Sequence, residues 1–221
     1  MLQGLKILLV KEFRLELRRR SVISGIALYL VSLIFICYLT FSLRRDVINE
    51  ATWSALFWLT ILFSVVNSIA KSFIGEKRGV AIYYYSVASP QLVIISKIIY
   101  NSILCFVLSV AGYILFQLFI DNPIQDHGFF FLLLILTSIG FSGALTLISG
   151  IAARANNSNV LMAVLSFPIV IGILLMAIRV TKNVLDDLDR SVSYDELLNL
   201  LAINGILAAL AWLLFPFIWR S

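Results

Sequence analysis

One histidine, two cysteines and a serine between glycines are the residues of this chain best suited to covalent or metal chemistry. Gly140-Phe141-Ser142-Gly143 is a Gly-x-Ser-Gly pattern, in which the serine is a candidate nucleophile. Such a serine also needs a base within hydrogen-bond reach. His127 precedes Ser142 by 15 positions, which is about 22 Å along a helix axis. No lysine or carboxylate lies near enough to substitute. Ser142 is better explained as one member of a stripe, Ser138, Ser142, Thr146 and Gly150, that recurs every four residues. Small residues at that spacing let a second membrane helix approach closely. Cys37 and Cys105 fall in different apolar stretches and have no metal-ligand spacing with any partner. His127 sits in a short loop where it could reach an iron, but no second ligand accompanies it, so it reads as a solvated histidine. No catalytic residue and no metal site is assigned.

The elements that carry these residues are apolar throughout. Of 221 residues, 61% are hydrophobic and the mean hydropathy is +1.01, more apolar surface than a soluble domain can hide. Six stretches, about 22–42, 52–70, 98–120, 129–151, 160–178 and 197–219, contain no Asp, Glu, Lys, Arg or His. Each has roughly the 20 residues that a helix needs to cross a bilayer core. The expected fold class is therefore an all-α integral membrane protein with six transmembrane helices, organised as one domain over residues 1–221. The first stretch exceeds a signal-peptide core and lacks a small-x-small cleavage pattern, so it is expected to remain as a span.

Charge orients the spans. Twelve of the 17 Lys and Arg residues fall before the first span, between the second and third, between the fourth and fifth, or in the tail. The acids are biased to the other side. The positive-inside rule then places both termini in the cytoplasm. The net charge of +5 is a topology signal. The basic residues lack interleaved aromatics on a soluble platform, which excludes nucleic-acid binding.

Two cytoplasmic segments stand out. Residues 3–20 read as an amphipathic helix, with Lys11, Arg14 and Arg18 on one face and Leu2, Leu5, Leu9 and Phe13 on the other. Such a helix lies in the membrane interface with its cations near lipid headgroups. Glu12 and Glu16 sit beside the apolar stripe. They either pair locally, as Glu16 with Arg20, or face a cytoplasmic protein partner. Residues 71–97 form the longest cytoplasmic connection, charged first and then aromatic, with Pro90 after Ser89 opening a helix that continues into the third span. Tyr83, Tyr84 and Tyr85 suit either an interface belt or a docking surface. On the outer side, 179–196 reads as a solvated connection with room for one helical turn. Pro168 removes a backbone hydrogen bond in the fifth span and should kink or break it, with Gly172 one turn on as a packing or hinge position. Trp53, Trp58, Trp212 and Trp219 are dispersed, as interface anchors are.

The spans hold no charge for proton coupling, and the chain has no Gly-x4-Gly-Lys-Ser/Thr loop for ATP. An energised function then needs a separate ATPase, gripping residues 71–97 and the N-terminal helix.

In order, the chain presents Lys-Glu-Phe-Arg-Leu-Glu-Leu-Arg at 11–18, two spans, Phe73-x2-Glu76-x2-Gly79, Ser89-Pro90-x6-Lys97, Gly140-x2-Gly143 and a proline in the fifth span. This arrangement resembles permease subunits of the ABC-2 type, and more closely the heme exporter protein B (CcmB) family of bacterial cytochrome c maturation. The resemblance covers nearly the whole chain. It implies a permease subunit in the bacterial inner membrane, with no catalytic site of its own. The implied partners are an ATP-binding cassette subunit, a heme-handling membrane protein with a tryptophan-rich motif, a small membrane subunit and a periplasmic heme chaperone. ATP is then bound by one partner and heme handled by the complex, neither directly by this chain. Phe73, Glu76, Gly79, Pro90 and Lys97 become the ATPase-coupling region. Lys11, Glu12, Arg14, Glu16 and Arg18 become an interfacial or partner helix. Spans 1, 2 and 5 are expected to move against the small-residue face of span 4. Gly172 stands where many members carry a second proline. The alternatives are an ABC-2 exporter for a lipid or drug, and a non-transporting scaffold.

Overall fold

A computed structural model describes residues 2–18, 20–44, 49–69, 89–120, 123–153 and 158–220. Among them there are helices and no strands. The helices are α1 (Leu2–Arg18), α2 (Arg20–Arg44), α3 (Glu50–Ile69), α4 (Pro90–Phe119), α5 (His127–Ala152), α6 (Ser158–Leu185) and α7 (Tyr194–Arg220), with a 3-10 turn at Arg190–Ser193. Helices α2 to α7 are the six expected spans, each long and apolar enough to cross a membrane.

Local chemistry sets the helix starts. Asn49 accepts from the Thr52 N–H at 2.8 Å and opens α3. Pro90 stands in the first turn of α4, as its missing N–H allows. Asp126 accepts from the Phe129 N–H at 3.1 Å and caps α5. Helix α6 ends with Asp187 at φ 51° and with the Leu188 N–H on the Asn183 carbonyl, a left-handed C-terminal turn formed without glycine.

Helix α5 is the centre of the bundle. Of its span 72% is buried, against 17% for α2 and α7, and it touches α3, α4, α6 and α7. Its Ser-Thr stripe faces α4: Ser142 hydrogen-bonds Ser102, and Asn101 Nδ2 donates to Thr146 Oγ1 at 2.8 Å. The stripe's polar partners thus lie on span 3, instead of the spans 1, 2 and 5 that were expected to move against it. A second face carries Gly140 and Gly143, against α6 and α7. There Asn204 Nδ2 of α7 donates to the Leu136 carbonyl at 2.9 Å. Asn204 comes that close because Gly140 has no side chain: a Cβ there would lie 2.8 Å from Asn204 Oδ1 and 3.2 Å from Ile173 Cδ1.

Four sequence expectations change. Helix α6 continues from Ser158 to Leu185 with Pro168 inside it, so the proline does not break the span, and its ring lies on an exposed face. Trp53 and Trp58 are core residues rather than interface anchors. Trp53 stacks on Phe57, Phe116 and Phe130 pack around the pair, and Trp58 Nε1 donates to Thr181 Oγ1 at 2.7 Å. Arg179 and Lys182 belong to α6, which continues to Leu185, because the helix outlasts its apolar run. Gly172 meets no other side chain, so it is not a packing glycine; a Cβ there would enter open space.

These contacts separate two glycines of one bundle. Gly140→Ala is expected to destabilise the protein by about 1–3 kcal/mol, since the methyl group must displace Asn204 and Ile173. Gly172→Ala should be neutral or slightly stabilising. Thermal unfolding of both variants in detergent is the measurement, and equal midpoints would refute the proposed close approach.

Candidate coupling platform

At the end of the bundle that holds the chain's N-terminus, α1 lies along the first turns of α4. Gly4 sits beside Leu92, and Phe13 packs edge-on against Tyr100 with ring centroids 5.0 Å apart. Below them Val93, Ile94, Leu147, Ala211 and Phe215 form a second apolar core, with Leu8 against it. The apolar side of α1 therefore packs on protein. The cause is the length of α4: 30 residues span about 45 Å, some 15 Å more than a bilayer core. The surplus turns offer α1 a wall to lean on.

Lys97 lies in that wall with 3% of its side chain exposed. Its Nζ is 3.4 Å and 3.5 Å from the two carboxylate oxygens of Glu12, and Lys11 Nζ is 2.7 Å from Glu12 Oε1. A lysine this buried needs a partner to remain charged at tolerable cost. Glu12 thus faces neither a local helix partner alone nor a cytoplasmic protein. It turns inward and ties α1 to α4. The sequence had assigned Glu12 and Lys97 to separate groups, and their separation by 85 positions hides the pair. Lys11 joins the same cluster. Arg14 is exposed, and Glu16 and Arg18 fall in the last turn of α1. Pro90 opens α4 at the edge of the platform. Phe73, Glu76 and Gly79 lie outside the described residues. Ser138, Ser142, Thr146 and Gly150 are all buried in α5.

The opposite end is closed by a second, exposed set of contacts. Arg190 Nε donates to Asp126 Oδ2 at 2.7 Å, and its guanidinium lies over the Phe129 ring. The Arg190 hydrogen bond, reinforced by the Phe129 N–H, holds the Asp126 carboxyl below the usual carboxylate range, and Asp126 in turn raises Arg190. His127 is not simply a solvated loop residue. It is the first residue of α5, and Tyr113 OH lies 2.8 Å from its Nδ1. No group of three or more potential metal-binding His, Cys, Asp or Glu residues occurs among the described residues.

Sequence reasoning missed Asn101, Tyr113, Thr181 and Asn204. A search of the spans for charged residues passes over amides and phenols. Asn101 and Asn204, amides inside otherwise apolar runs, were the available signal.

Six apolar helices packed about a buried central member, with a short amphipathic helix strapped to one end, define a multi-pass α-helical membrane protein. The CcmB protein family matches residues 3–218, and the chain belongs to that family. Membership makes it a permease subunit in heme transport for cytochrome c biogenesis. Comparisons with curated proteins and with solved structures gave no match.

Two measurements test the platform and the opposite clip. Glu12→Gln should cost about 1–3 kcal/mol by leaving Lys97 poorly paired. Adding Lys97→Met should recover part of that loss, and a double-mutant cycle with no coupling energy would dissolve the pair. The lowered Asp126 carboxyl gives stability that is present above about pH 4, the ordinary carboxylate range, and is lost as pH falls through its folded value. Asp126→Asn should therefore flatten the acid limb of thermal stability against pH. An unchanged limb would remove Asp126 as its source.

Proposed function

We propose that the chain works as a passive lever, moved from the cytoplasm by the ATP-binding subunit of a cytochrome c maturation complex. Both termini lie in the cytoplasm of a bacterial inner-membrane protein. Nucleotide closure pushes residues 71–97, with Phe73, Glu76 and Gly79 in the contact, and the push enters the bundle at Pro90. The observation that supports this reading is the Glu12–Lys97 pair. It joins α1 to α4 at the last residue of the proposed contact segment, so a displacement at Pro90 carries both helices together.

From α4 the displacement meets α5 through Ser102–Ser142 and Asn101–Thr146. Neutral contacts of this kind in a membrane interior are worth about 0.6 kcal/mol each, weak enough to exchange. The work serves heme handling: partners with a tryptophan-rich motif hold the heme, a small membrane subunit completes the assembly, and a periplasmic chaperone receives it. Neither ATP nor heme is held by this chain itself. Whether the subunit moves heme or drives chaperone release, the coupling step is the same.

Glu76→Lys tests the reading. Reversing this charge is expected to lower ATPase activity of the assembled complex and co-purification of the ATP-binding subunit by tenfold or more, about 1.4 kcal/mol. Coupling and binding both left unchanged would count against residues 71–97 as the contact.

A further inference from the structure

Once Glu12 is turned toward Lys97, the outward side of α1 is left with Lys6, Ile7, Val10, Lys11, Arg14 and Leu15. They line a shallow groove of about 450 Å³. Ile7, Val10 and Leu15 are 69%, 42% and 43% exposed. None of the residues lining this groove is acidic. We propose that this groove is a binding surface for anionic phospholipid of the leaflet that borders α1.

Three observations favour lipid over a protein partner. Helix α1 ends at Arg18 and the first span begins at Arg20, so covalent continuity holds the face at the membrane surface. The apolar side that would otherwise lie in lipid is already spent on α4, which leaves exposed Ile7, Val10 and Leu15 interleaved with cations. That mixture suits a headgroup region, where ammonium and guanidinium groups meet phosphate while short apolar side chains enter the upper acyl layer. The sequence then continues into Arg18, Arg19 and Arg20, extending the positive charge toward the span. Basic segments beside a span gain roughly fivefold in affinity per cation from an anionic leaflet. The surface goes beyond the lever reading: α1 would be held between α4 and the membrane surface whatever subunit pushes residues 71–97.

The experiment uses the full chain, purified and delipidated in neutral detergent. Phosphatidylglycerol and phosphatidylcholine are added in competition, and bound lipid is counted by native mass spectrometry. The wild-type chain should retain phosphatidylglycerol preferentially, and the preference should weaken with rising salt. Lys6→Gln with Arg14→Gln leaves the Lys11–Glu12–Lys97 cluster in place and should reduce the preference by about 25-fold. Arg179→Gln with Lys182→Gln, which removes the same charge at the other end of the bundle, should leave it intact. If the double α1 variant does not fold, Lys6→Gln alone should show a fall of about fivefold. An unchanged preference in the α1 variants overturns the proposal. So does loss of the ATP-binding subunit from the complex with lipid preference retained, which would assign the face to protein. Failure of Glu76→Lys to uncouple the ATPase bears on the lever and leaves this surface untouched.

Discussion

Close approach to α5 is the constraint on which the bundle depends. In lipid, apolar side chains gain nothing by leaving one hydrocarbon for another, so helices associate only where backbones pack tightly and polar groups find each other. Helix α5 meets that demand on two faces. Ser138, Ser142 and Thr146 admit α4, and Gly140 and Gly143 admit α6 and α7. The approaches of α4 and α7 carry hydrogen bonds: Ser102 and Asn101 from α4, and Asn204 from α7. Where the outer helices have no such partner, they present large side chains to the bilayer, as Leu28 and Phe217 do.

The aromatic core answers a different need. Trp53, Phe57, Phe116 and Phe130 pack in stacked and edge-on pairs between α3, α4 and α5. Gly112 of α4 also lets Ile61 of α3 close in beside these rings, since a Cβ there would lie 2.5 Å from Ile61 Cδ1. Trp58 brings a polar edge into that core, and Thr181 satisfies it while donating back to the Ala177 carbonyl. The hydroxyl thus serves both its own helix and its neighbour, and α3 is pinned to α6 without any charge.

Much of this was legible in the residues. Six uncharged runs of the right length gave the spans, Ser89-Pro90 gave the start of α4, and spacing by four gave the packing stripe on α5. The order of loose motifs led to the family. Partnership was illegible. Nothing local tells Glu12 that its counter-charge is Lys97, because only the overrun of α4 beyond the bilayer brings the two together. Trp53 and Trp58 looked like interface anchors since their positions near a span end fit that habit; their burial depends on aromatic residues of α4 and α5. Pro168 suggested a kink or a break, and the helix is continuous through it, since the turns on both sides are apolar enough to remain in the span. Phe73, Glu76 and Gly79 fall outside the described residues, so that part of the coupling region rests on its family pattern.

The distribution of strong and weak contacts along α4 and α5 gives the bundle a mechanical character. Near one end, the buried Glu12–Lys97 pair fixes α4 to α1. At the other, Asp126 and Arg190 clip the start of α5 to the turn before α7, and Tyr113 of α4 reaches His127 of α5. Between these ends the two helices touch through small neutral hydroxyl and amide groups. A charge lost from its partner in a low-dielectric setting is costly, whereas a hydroxyl can exchange an acceptor on the neighbouring helix for one on its own, as Ser142 already does by reaching the Ile98 carbonyl of α4 and the Ile139 carbonyl of α5. Motion confined to the middle of the seam therefore has a lower barrier than motion that parts α1 from α4. A bundle made in this way tilts or slides as joined pieces, with α1 and α4 as one piece and the α5 seam as the surface that gives.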